Sequence, residues 1–144
     1  MNNVQRAVSV FKEGFSCSQA ILSTYGAQFG LDHETALGVS GAFGGGMGRM
    51  GETCGVVTDA FMVIGLKYGQ TRVGDEESKE KAYRLVKEFV EKFMSRDGSI
   101  VCRELLGCDI NTSKGRRLVK EKKLFTDLCP KFVQDAAKII EQIL

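Results

Sequence analysis

The chain carries little that would mark it for nucleic acid, a membrane or an imidazole metal site. Among 144 residues there is one histidine, His33, so zinc or copper sites built from several imidazoles are excluded by count. Twenty Lys and Arg stand against eighteen Asp and Glu, and a formal charge of +2 steers nothing toward nucleic acid or an anionic membrane. Residues 1–7 hold no apolar run of signal-peptide length, and the uncharged stretches elsewhere are too short and glycine-broken for a membrane span. These absences read as a cytoplasmic protein with no nucleic-acid and no membrane partner. No Cys-x-x-Cys pair occurs, which removes the standard zinc modules, the thioredoxin-like motif and, with them, covalent haem attachment.

What is present is sulfur and glycine. Five cysteines in a chain read as cytoplasmic point to reactive thiols or metal ligation rather than a disulfide framework, and the odd number strengthens that. Seventeen glycines beside the single Pro130 mean that many positions need an unhindered backbone. At 43% hydrophobic, 144 residues suffice for one core and are short for two, so residues 1–144 are expected to form a single helical domain.

The apolar periodicity is helical nearly throughout. Val4, Ala7, Val8 and Phe11 mark a first helix over about residues 3–13. Ser16 and Gln19 form a capping box that opens a second at Cys17, running toward Gly26. Asp32 caps a third, which ends in the glycine run from Gly44. The segment from Val56 to Leu66 is apolar on most sides and reads as the buried central helix. Asp75-Glu76-Glu77 opens a long amphipathic helix ending at Asp97-Gly98, and Ser99 is expected to cap a short one from Ile100 to Leu106. Lys114 to Lys123 reads as a solvated basic helix face, because no aromatic residues interleave with its charges. The last helix starts at Cys129-Pro130, with Val133 to Leu144 as its inner stripe. The expected fold is all-α, a compact bundle of about six or seven helices with a Gly-rich loop before a buried central helix.

One regularity emerges from that map. Cys17, Cys54, Cys102 and Cys129 each fall at a helix cap or in a first turn, whereas Cys108 does not. The unpaired N–H groups and positive dipole end of a helix start favour thiolate over thiol, and the thiolate is both the nucleophile and the soft-metal ligand. Converging, the four would be poised redox thiols or a cage for a thiolate-bound metal or an iron–sulfur cluster. The plain alternative is four small apolar side chains buried in a core.

The run Gly44-Gly45-Gly46-Met47-Gly48-Arg49-Met50-Gly51 contains a literal G-x-G-x-x-G, but no strand precedes it and no βαβ unit surrounds it. The more physical expectation is a nest. Gly44, Gly45, Gly46 and Gly48 would let backbone N–H groups approach an anion, a cofactor or a thiolate, with Arg49 as the loop's only charge and Cys54 at its far end. A tight connection between helices remains the alternative.

Taken in order, Gly14-Phe15-Ser16-Cys17-Ser18-Gln19, Phe43-Gly44-Gly45-Gly46-Met47, Cys54-Gly55, Cys102-Arg103-Glu104-Leu105-Leu106-Gly107 and a late Cys129 resemble the C_GCAxxG_C_C family of redox-active proteins. The resemblance spans most of the chain, and the family's four cysteines map onto Cys17, Cys54, Cys102 and Cys129. It implies a small helical domain with redox or metal-cluster chemistry, similar to part of the split-Soret cytochromes, although the haem motif is missing here. The sequence departs from the family at Val56 and Asp59, where the family has Ala and Gly.

The resulting expectation is a redox-active protein exchanging electrons with a partner protein. Cys17 and Cys54 are the preferred dithiol pair, and Cys102 and Cys129 join them if a metal is held. The rival is a non-catalytic helical binding or assembly module, in which a homodimer would hide surplus apolar surface on the Val56–Leu66 and Val133–Leu144 faces. A glycine-loop anion binder without redox chemistry is the third reading.

Overall fold

The computed structural model describes residues 1–144 and is all-α, with no strand beyond one isolated bridge. Its helices are α1 (Asn3–Lys12), α2 (Cys17–Gly26), α3 (His33–Ser40), the single turn α4 (Gly44–Met47), α5 (Gly55–Tyr68), α6 (Glu76–Asp97), α7 (Cys102–Leu106), α8 (Ser113–Glu121), α9 (Leu124–Asp127) and α10 (Cys129–Ile143). None is long and apolar enough to cross a membrane.

The helix starts follow from side-chain oxygens that accept otherwise orphaned N–H groups. Asn2 with Gln5 and Ser16 with Gln19 form complete capping boxes on α1 and α2. Asp32, Asp75 and Thr112 cap α3, α6 and α8. The short helix expected from Ile100 begins two residues later, at Cys102. The reason is tertiary: Thr53 and Val101 form an antiparallel bridge, with Cys54 N–H donating to Ile100 O at 2.8 Å and Cys102 N–H to Glu52 O at 2.6 Å. Those bonds hold residues 100–101 extended, and they lay the start of α5 against the start of α7.

The core joins 27 buried residues from most of the helices. As expected, α5 is buried over Gly55–Ala60 and again at Val63 and Ile64. Less expected is α2, buried from Ala20 to Gly26 despite Ser23 and Thr24, because α1, α3, α5 and α10 all pack on it. An aromatic ladder ties the opposite side together: Phe89 stacks on Phe93 at 5.8 Å between centroids, with Phe61 and Phe132 edge-on at 6.3 and 6.5 Å. Such pairs each contribute about 0.5–1.5 kcal/mol beyond their area. The two faces that suggested a dimer are largely consumed by this packing. Val56, Val57, Val63, Ile64, Val133, Ile139 and Ile140 are buried within the chain, and Leu66 is the large residue left exposed on the first face.

Candidate functional site

The starts of α2, α5 and α10 meet at one cavity of about 900 Å3. Cys17, Cys54, Cys102 and Cys129 all line it, and so do Gly44, Gly45, Gly46, Gly48 and Arg49. Cys108, beyond the Gly107 cap of α7, does not.

Cys17 opens α2 and is half-buried, while Cys54 is the N-cap of α5 and only 5% exposed. The ionisation of the two thiols is linked through a hydrogen-bonding influence of each on the other. The influence of Cys54 is the chief reason the Cys17 thiol is held below its ordinary pKa; burial opposes it, and the N–H groups of Ser18, Gly55 and Val56 reinforce it. Cys54 moves the other way, well above its ordinary value, because of the matching influence of Cys17, its burial and the charge on Cys17. Between them the pair therefore holds one readily lost proton.

Glycine makes the approach possible. A Cβ on Gly55 would stand 3.0 Å from Cys17 Sγ and 2.8 Å from Ser18 Cβ. At the cavity's other wall, a Cβ on Gly46 would meet Cys102 Cβ at 2.6 Å and Glu52 N at 2.7 Å.

The expectation that all four helix starts depress their thiols is corrected. Only Cys17 is lowered. Cys102 is pushed up to about 12 and Cys129 is also raised, first by burial and then by the charge of Cys17. Desolvation of a small apolar-lined thiol outweighs the dipole of its helix.

In the glycine run expected to form a nest, the N–H of Gly48 is taken by Gly44 O. Gly45, Gly46, Met47, Gly48 and Arg49 follow one another at φ between 61° and 69°, a left-handed turn. The N–H groups of Met47, Gly48, Arg49, Gly51 and Glu52 bond to carbonyls of Phe43, Gly44, Gly45 and Gly46, so they are spent inside the loop. The N–H groups that lower the Cys17 thiol come from α2 and α5. Met47 and Arg49 carry Cβ atoms in this conformation, at about 1–2 kcal/mol each, so the surroundings must enforce it.

No set of three or more cysteine, histidine or carboxylate side chains stands where it could hold one ion. The five thiols are also free, with no disulfide.

Asp59, which the sequence marked as a departure from the family but not as part of the site, stands beside Cys17. It is 0% exposed, one turn into α5, and its Oδ1 is hydrogen-bonded to Ser18 Oγ, the residue after Cys17. Ser18 Oγ also lies 3.0 Å from Ser40 O. A hydroxyl has one proton, so both contacts are satisfied when Ser18 donates to Ser40 O and a protonated Asp59 donates to Ser18. Desolvation, which raises the Asp59 pKa to about 8 against the lowering effect of the Ser18 bond, agrees with a neutral acid. The available signal was an acid inside an otherwise apolar helix, at a position where the resembling family has glycine.

With that geometry in place, the comparison with known families is specific. The family model described as "Putative redox-active protein (C_GCAxxG_C_C)" matches residues 15–143. The chain belongs to the C_GCAxxG_C_C family. No curated protein and no solved structure matches it. As a C_GCAxxG_C_C protein it is a cysteine-bearing, all-α member of a group named for redox activity.

Proposed function

We propose that this single helical domain acts in the cytoplasm as a dithiol–disulfide redox protein with Cys17 and Cys54 as its exchanging pair. The observation that carries the reading is that Cys17 and Cys54, at the starts of α2 and α5, line one cavity, with one thiol depressed and the other raised. In the reaction, the Cys17 thiolate attacks one sulfur of a partner disulfide, forming a mixed disulfide and releasing a partner thiolate. Cys54 then attacks the Cys17 sulfur, gives its proton to a leaving thiolate and releases the second partner thiol. Two electrons pass from this chain to the partner, which ends as the dithiol once water supplies the second proton, replacing the one Cys17 had already lost. The asymmetry of the pair suits the order, because the ionised sulfur is the attacking one.

Cys54→Ser is expected to abolish reversible two-electron oxidation, followed by intact mass and alkylation against a thiol–disulfide buffer, while Cys108→Ser preserves it. Retention of that oxidation in Cys54→Ser would overturn the assignment. The second reading, a four-sulfur metal or iron–sulfur site, draws on the shared cavity lined by Cys17, Cys54, Cys102 and Cys129. It makes the opposite forecast: Cys102→Ser and Cys129→Ser would cost as much as Cys17→Ser, and chain purified without oxygen would carry near-stoichiometric metal.

A further inference from the structure

The charge around the cavity is one-sided. Lys12 and Arg49 are its only charged lining residues, both exposed cations, and neither forms an ion pair; no Asp or Glu lines it. Phe11, Phe15 and Phe125 are among its apolar lining residues, beside the uncharged polar Ser16, Gln19 and Thr126. Its volume of about 900 Å3 falls in the range that encloses a small organic molecule. Cys54, 5% exposed, is at the wall of this space.

We infer that the cavity takes a small anionic disulfide bearing an aromatic or other apolar group, and that this is the molecule with which Cys17 exchanges. The inference rests on the dithiol reading above and adds the class of its substrate. Arg49 and Lys12 hold the acidic groups, the phenylalanines cover the apolar body, and the disulfide is left beside Cys17. Attack by the Cys17 thiolate joins it to one half and expels the other as a thiolate. Closure by Cys54 expels the second half. The chain is oxidised from dithiol to disulfide, and the small molecule is reduced to two thiols. One of these takes the Cys54 proton and the other a proton from water, replacing the one Cys17 had already lost. The held cations also explain why an arginine stands in a left-handed turn that disfavours it: the turn points the loop's one charge at the cavity mouth.

The test compares the reduced full chain reacting with two aromatic disulfides, 5,5′-dithiobis(2-nitrobenzoate), a dianion, and neutral 4,4′-dithiodipyridine. Each rate is divided by that of the same disulfide with 2-mercaptoethanol. The expected result is a normalised preference for the dianion of about tenfold at low salt, shrinking as salt is added. The Arg49→Gln, Lys12→Gln double variant should lose most of it, and Arg49→Lys should keep it. Equal normalised rates, or a preference untouched in the double variant, would overturn the inference. Fluorescence titration with the unreactive anion 8-anilino-1-naphthalenesulfonate separates this from the dithiol reading. Dye binding that is lost in the double variant and retained in Cys17→Ser supports the anionic cavity. If exchange with either disulfide also proceeds unchanged in Cys17→Ser, the dithiol reading falls, and the disulfide as substrate falls with it.

Discussion

Asp59 shows how much a single side chain can set. In an unfolded chain an aspartate ionises near pH 4, whereas burial here holds the acid protonated to about 8. Its folded pKa is raised, so its contribution to stability is full below the unfolded pKa and is lost as pH rises through the folded one. Between about pH 4 and 8 the folded chain binds a proton that the unfolded chain has released, and stability falls with pH by as much as about 1.4 kcal/mol per unit. Asp59→Asn keeps the shape and a donor to Ser18 without the ionisation. It is expected to flatten this slope and to leave the variant more stable than the parent at pH 8, by urea unfolding across the range. An unchanged slope would mean that Asp59 ionises freely. The cysteines at this scale were legible from capping chemistry alone, since Ser16 and Gln19 place Cys17 in a first turn whatever the fold. Their unequal ionisation was not, because it depends on which sulfur faces N–H groups from a second helix and which is merely buried.

At the scale of elements, the helices announced themselves through caps and apolar stripes, and two features escaped for tertiary reasons. Residues 100–101 carry a plausible cap in Ser99, yet they are drawn into the bridge with residues 52–54, where the backbone bonds made there replace the first turn of helix. The left-handed turn from Gly45 to Arg49 escaped because Met47 and Arg49 argue against it locally. What decides the turn is the room it leaves, and Gly46 is the test. Gly46→Ala places a Cβ at φ +69° against Cys102 Cβ and the Glu52 backbone, while Gly48→Ala, at φ +61°, meets nothing closer than Ala42 O at 3.5 Å. The first substitution is expected to cost about 2–4 kcal/mol, from backbone strain and overpacking together, and the second about 1 kcal/mol. Denaturant midpoints of the two variants check the difference. Equal losses would show that conformation alone matters and that the loop does not brace Cys102.

Across the whole molecule, the dithiol pair joins two helices of the core, and its oxidation state must therefore register in global stability. A bond closing the loop from residue 17 to residue 54 would, by chain entropy alone, stabilise the folded state by about 3–4 kcal/mol. Such a gain suits a structural cross-link, which resists reduction; a pair that exchanges needs its reduced form stabilised too. The Cys17 thiolate supplies that. Its folded pKa is lowered, so its stabilising effect is present above the unfolded thiol pKa and is lost as pH falls through the folded value. The oxidised chain, lacking that thiolate, has no such dependence from Cys17. The stability difference between oxidised and reduced protein is accordingly expected to be smaller at pH 8 than at lower pH and to grow toward the chain-entropy figure as the pH is lowered. Urea unfolding of both forms at several pH values measures it directly. A difference that stays near 3–4 kcal/mol at every pH would mean that the N–H groups of Ser18, Gly55 and Val56 do nothing for the reduced form, and Cys17–Cys54 would then be a cross-link rather than an exchanging pair.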